Sequence, residues 1–233
     1  MAFFGLLKNT FVQFYEYLFK MVFLSIAWFF ILLFPVMSIF STDILVLQIV
    51  LGIFSLIIAG PLTLSGLNFV NRLTDREDMR FRELFSGIRK YFKKGLISFF
   101  FTLAIYLILF IDIRFFSSRA ENWIMLIINI MMIYAAILFS MMMIHFWGLQ
   151  VRGESRKFRD LLKYSFYLTL DNALVTALLL LFLVIFSVLM MLFVVAVPAV
   201  YFAIIALLIM NGTNYAWEEL NRKIIEKANE KGE

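Results

Sequence analysis

Residues 59–94 read AGPLTLSGLNFVNRLTDREDMRFRELFSGIRKYFKK, and this stretch decides the fold because it is the densest junction of apolar and charged sequence in the chain. From Gly60 to Lys94 it carries eight basic and four acidic residues between two long apolar runs. Helical spacing puts Phe81, Leu84, Phe85, Ile88 and Phe92 on one face and Arg82, Arg89, Lys90 and Lys93 on the others. Such a segment lies in the plane of a membrane surface, apolar side down.

Composition agrees with that reading. Of 233 residues 64% are hydrophobic, 18% aromatic and only 16% charged, with a mean hydropathy of +0.95, against roughly 25% charged in soluble domains. The length is therefore best counted in bilayer crossings of about 20 residues. The net charge of +5 comes from basic residues beside apolar runs with no nucleic-acid motif among them, so anionic lipid headgroups at the cytoplasmic face are the expected partner and nucleic acid is not. The absence of cysteine excludes disulfides, thiol nucleophiles and cysteine metal sites.

Residues 1–20 predict an amphipathic surface helix, with Phe4, Leu7, Phe11, Phe14 and Leu18 at helical spacing. No signal-peptide cleavage pattern follows it. Six spans are predicted at Met21–Phe40, Leu45–Val70, Gly95–Ile111, Trp123–Leu149, Asn172–Leu192 and Val197–Ala216, and a charged tail occupies 218–233. The amino-terminal segment, the loops after spans two and four, and the tail hold 19 of the 21 lysines and arginines. The positive-inside rule then puts both termini and the two long loops in the cytoplasm.

Within this single membrane domain an internal repeat emerges when the loops are laid over one another at a constant offset. Phe4, Phe81 and Phe158 fall in register, as do Leu7, Leu84 and Leu161, and Phe81-Arg82-Glu83-Leu84 matches Phe158-Arg159-Asp160-Leu161. The second span of each unit exits through Gly66-Leu67-Asn68, Gly148-Leu149-Gln150 or Gly212-Thr213-Asn214. The expected fold is an all-α membrane protein whose six transmembrane helices form three helical-hairpin repeats (about 1–70, 71–150 and 151–217), with amphipathic cytoplasmic helices and both termini cytoplasmic.

No span core contains Asp, Glu, Lys or Arg, the residues that mark ion paths and proton relays. There is no serine–histidine–carboxylate set, glycine-rich phosphate loop or HExxH pattern, so no catalytic residue, cofactor or metal is expected. Gln48, Asn129 and His145 are candidates for lining a cavity; the alternative is interhelical hydrogen bonding, with His145 a packed histidine beside Trp147. Gly60-Pro61 interrupts the hydrogen-bond ladder of span two, which predicts a kink or break and a candidate hinge. Arg76, Glu77 and Asp78, with Arg82, Arg89 and Arg159 on the loop helices, are candidates for docking a cytoplasmic partner.

Gly60-Pro61-Leu62-Thr63, an aromatic at Phe69, Arg76-Glu77-Asp78 and the helix Phe81 to Phe92 together resemble the YesL-like family of bacterial integral membrane proteins, a domain of unknown function. The resemblance extends in pattern over most of the chain. It implies a multi-pass protein of the bacterial plasma membrane, accessory to carbohydrate importers of the ATP-binding-cassette type, and supplies no catalytic residue. The leading expectation is thus a non-enzymatic accessory or scaffold protein. The alternative is a transporter of a small neutral or amphipathic solute through the bundle.

Overall fold

A bilayer offers the backbone no water, so each crossing segment must satisfy its own amides, and a helix does so within one segment. The computed structural model describes residues 2–77, 79–119, 123–152, 156–193 and 196–230, and every element among them is helical. The helices are α1 (Ala2–Glu16), α2 (Leu18–Trp28), α3 (Phe34–Ser41), α4 (Leu45–Thr74), α5 (Phe81–Lys90), α6 (Phe92–Ser117), α7 (Trp123–Arg152), α8 (Phe158–Asp171), α9 (Ala173–Leu192) and α10 (Ala196–Glu230). A π-helical turn, Phe29–Leu33, joins α2 to α3. Pro35, in the first turn of α3, has no N–H for the ladder, and the wider turn before it absorbs the mismatch. Six helical segments are long and apolar enough to cross a bilayer: Leu18–Ser41, Leu45–Thr74, Phe92–Ser117, Trp123–Arg152, Ala173–Leu192 and Val197–Glu226. This is the architecture of a multi-pass membrane protein.

The structure moves several expected boundaries. The surface helix ends at Glu16, before Lys20, because the chain turns at Tyr17. Span two runs on past Val70 to Thr74, and the last helix continues from Ala216 to Glu230. A helix once nucleated has no reason to stop where the bilayer does. The break expected at Gly60-Pro61 is absent: α4 is one helix through Pro61. Proline removes one ladder hydrogen bond, and the helix continues across it packed against a neighbouring helix.

That neighbour is α6, and the contact is backbone on backbone. A Cβ built on Gly60 would overlap the Gly95 carbonyl oxygen, and one on Gly95 would lie 2.5 Å from the Pro61 nitrogen. Small residues at a crossing point are how membrane helices approach closely when no hydrophobic force drives them together. Gly148 against Thr213 and Gly66 against Phe202 allow similar approaches of α7 and α4 to α10.

Helices α4, α7 and α10 pack on one another at the centre. Around them, α2–α3 lies along α10 and α4, α6 along α4 and α7, and α9 along α7 and α10. The short helices follow the same order, α1 on α10, α5 on α4 and α8 on α7. Each joins its span through a single non-helical residue: Tyr17 (φ −107°, ψ 27°), Tyr91 (φ −94°, ψ 8°) and Asn172 (φ −121°, ψ 38°). All three keep the ladder running. Their amides donate to Gln13, Gly87 and Leu168, and their carbonyls accept from Met21, Gly95 and Thr176, at 2.7–3.1 Å. The stretch from Tyr91 to Asn172 is longer than that from Tyr17 to Tyr91, although Phe81 and Phe158 open α5 and α8 in register, because α5, at 10 residues, is shorter than both α1 (15) and α8 (14), so that Tyr91 comes early.

Burial is lopsided. In α7 the buried residues begin at Met141, and in α6 they are Gly95 and Ser98, both near its start. The tight core thus lies on the side of α1, α5 and α8, and the far halves of α4, α6 and α7 turn apolar side chains outward.

Candidate functional site

The loop helices carry the exposed charge. Arg82 and Arg89 on α5 and Arg159 on α8 are all exposed. Arg76 is exposed too and holds φ at 61°, the only positive φ outside glycine among the described residues. Its amide donates to the Leu73 carbonyl at 3.0 Å and the Glu77 amide to that of Arg72 at 3.0 Å, so the left-handed residue closes α4. Glu77 is exposed as well, and it is engaged within the chain. It pairs with Arg72, whose Nη1 also donates to Glu83 Oε2 at 2.7 Å, and Glu83 Oε1 accepts from the Arg80 amide at 3.3 Å. The Arg72–Glu77–Glu83 group pins the end of α4 to the start of α5. Sequence reasoning missed it, although an acidic residue at the third position of a helix is a capping signal. Asp78 lies outside the described residues.

The three candidate cavity residues do not meet. Gln48 Nε2 donates to the Thr42 carbonyl at 2.6 Å, at the start of α4. Asn129 sits in the outward-facing half of α7, its Oδ1 buried without a hydrogen-bond partner. His145 lies more than four turns further along the same helix, about 24 Å at 1.5 Å per residue. Elsewhere the polar residues of the spans pair off: Tyr106 with Ser140 at 2.9 Å, Ser98 with Gln150 Oε1 at 2.7 Å, and Ser187 with Tyr201 at 3.2 Å.

His145, 1% exposed, is the most completely buried of the candidates. The Thr176 hydroxyl donates to the Asn172 carbonyl at 2.9 Å, so its oxygen accepts from His145 Nε2–H, also at 2.9 Å. That leaves Nδ1 to accept from the Thr213 hydroxyl at 3.4 Å. A neutral imidazole with its proton on Nε2 satisfies the whole chain, and it ties α7 to α9 and α10. Among the described residues no three histidine or acidic side chains are grouped to hold a metal. His145→Leu, which removes these bonds and keeps the bulk, is expected to lower stability by about 1 kcal/mol and to leave the fold intact. Thermal unfolding in mild detergent checks this.

Three of the cavities among the described residues differ in chemistry. One of about 410 Å3 lies between α1 and α10 and is polar, with Asn9, Gln13, Asn211, Asn214, Asp75 and Glu218 in its wall. One of about 340 Å3 at the start of α6 is basic. The third, about 360 Å3, is an apolar crevice between the π turn, α9 and α10, where Phe29, Leu33, Met190 and Tyr201 face one another.

Protein-family models, curated proteins and solved structures yield no match to this chain.

Proposed function

We propose that the chain is a non-enzymatic accessory or scaffold protein of the bacterial plasma membrane, built as three like units and presenting Arg82, Arg89 and Arg159 to a cytoplasmic partner. The observation that carries this reading is a division of labour among polar groups. Most of those inside the spans bond in separate local pairs that do not converge, Asn129 Oδ1 being an exception, whereas the arginines of α5 and α8 stay exposed. Three units are supported by the single-residue hinge recurring at Tyr17, Tyr91 and Asn172 and by the cyclic order in which the helices pack. A cytoplasmic position for the loop helices is supported by 19 of the 21 basic residues falling on their side of the spans. The resemblance directs the partner search to subunits of an ATP-binding-cassette carbohydrate importer.

The test is copurification from native membranes in mild detergent. Wild type is expected to retain a stoichiometric partner, and Arg82→Glu with Arg89→Glu and Arg159→Glu is expected to lose it, since a like-charge contact at an interface costs several kcal/mol. A wild-type protein that comes out alone under every mild condition ends the proposal. One observation favours the second reading, passage of a small amphipathic solute: the apolar crevice carries a single polar edge, Ser187 and Tyr201. Purified protein in liposomes would then move a lipid or sugar analogue, and unchanged permeability would remove that reading.

A further inference from the structure

The basic cavity has the makings of an anion site. Lys90 ends α5, and Lys93 and Lys94 stand in the first turn of α6, so three lysines line the cavity from the two sides of the Tyr91 hinge. Arg156 reaches the same cavity from the other side, from the segment before α8. Its lining among the described residues is four cations with Ile97, Phe158 and Leu161, whereas the described wall of the polar cavity includes Asp75 and Glu218. Phe158, the first residue of α8, also lines it, which brings the positive end of a 14-residue helix to its edge. Arg156 is held in place by the rings of Tyr164 and Trp217, at 4.8 and 4.4 Å from their centroids. Lys94 Nζ is oriented by the Gln150 carbonyl, at 2.6 Å. These cations are arranged before any ligand arrives.

The wall continues into the membrane. Ile97 lines the cavity and is 49% exposed, and Phe100, one turn deeper on α6, is 45% exposed. A ligand filling the cavity would therefore put negative charge on the lysines and an apolar chain along α6. We infer that this cavity binds the phosphate of an anionic phospholipid, with Lys90, Lys93 and Arg156 as charge partners and the acyl chain lying on Ile97. Basic pockets between transmembrane helices are suited to such headgroups, and lysine and arginine neutralise phosphate well by charge and by donor geometry. A free phosphate compound would satisfy the cations and leave the apolar wall unused. The inference needs the loop-helix face to lie at a membrane surface and needs no protein partner, so it stands or falls separately from the scaffold reading.

The experiment is thermal unfolding of the purified protein in a neutral detergent with added phosphatidylglycerol, with phosphatidylcholine, or with inorganic phosphate. Phosphatidylglycerol is expected to raise the wild-type midpoint by about 3 °C, and the other two additions are expected to leave it in place. Lys93→Gln with Arg156→Gln should lose most of that rise. Should the loss of ring stacking weaken that variant, Lys90→Gln with Lys93→Gln keeps Arg156 and reads the same increment. Lys8→Gln with Lys163→Gln removes the same charge from the same face outside the cavity and should respond like wild type. Equal loss in this control would reduce the effect to bulk charge and overturn the site, as would an unchanged rise in both cavity variants or no rise in wild type. Stabilisation by inorganic phosphate to the same extent overturns the lipid assignment.

Discussion

Gly95→Ala is expected to destabilise the protein by about 3 kcal/mol, the upper end of what one added carbon costs in a packed interior. At most positions a neighbouring side chain swings away from an intruding methyl group. Here the three nearest atoms are the Pro61 nitrogen at 2.5 Å, the Gly60 carbonyl carbon at 2.6 Å and the Pro61 Cα at 2.7 Å. All belong to backbone, and the whole of α4 must move to clear them. Gly60→Ala runs into the Gly95 carbonyl oxygen and should behave alike, while Gly95→Leu should fail to give a monodisperse protein. The opposite result is expected at Gly5 and Gly52. Gly5 has no atom within 4 Å of a built Cβ, and Gly52 meets only Ile39 Cδ1 at 3.8 Å. Alanine there should be neutral or stabilising by up to about 1 kcal/mol, since glycine inside a helix is the weaker helix former. Unfolding in a denaturing-detergent titration orders the four variants. A Gly95→Ala midpoint level with that of Gly52→Ala would mean that α4 and α6 do not cross as described.

The same crossing marks how far the sequence could be read. Six spans were legible because each apolar run must satisfy its own backbone, and that requirement acts within one segment. Pro61 was also legible, but only as a local defect. Whether a proline breaks a helix depends on what packs beside it, and Gly95 belongs to another span and carries no signal pointing back to Gly60. That the cavity candidates lie apart was hidden for a related reason. Gln48, Asn129 and His145 stand out as polar residues in apolar sequence, yet the partners of His145, Thr176 and Thr213, are 31 and 68 residues distant. The register shared by Phe4, Phe81 and Phe158 did find the starts of α5 and α8, where both sequences read Phe-Arg-acid-Leu. It could not find the hinges, because α5 is about a turn shorter than α1 and α8, which brings Tyr91 early and leaves no mark on the pattern of charges. The Arg72–Glu77–Glu83 group had a local signal in Glu83, but Glu77, standing between Arg76 and Asp78, carries no sign in sequence of its bond to Arg72.

At Phe146 a second large loss is expected, and its size depends on which side of the membrane the core occupies. The ring is 0% exposed and meets Phe158 of α8 at 5.5 Å and Phe101 of α6 at 6.2 Å between centroids, while Phe101 and Phe158 meet at 5.2 Å. Three helices are thus joined by three mutually contacting rings. In a water-soluble core, truncating such a ring to alanine costs about 3–5 kcal/mol. In a bilayer the unfolded reference is itself apolar, so the transfer part shrinks and the cavity and lost dispersion contacts remain. Phe146→Ala should accordingly cost about 2 kcal/mol, with faster hydrogen exchange confined at first to α8, which loses its seat on α7. Phe110, on the far half of α6 and 61% exposed, makes no such contact, and Phe110→Ala should shift stability by less than about 0.5 kcal/mol. The contrast between two phenylalanines on neighbouring helices measures the asymmetry of the fold. A Phe110 variant as damaged as the Phe146 variant would require something packed against the outer half of α6, and the far face of the bundle would then be an interface rather than a lipid-exposed surface.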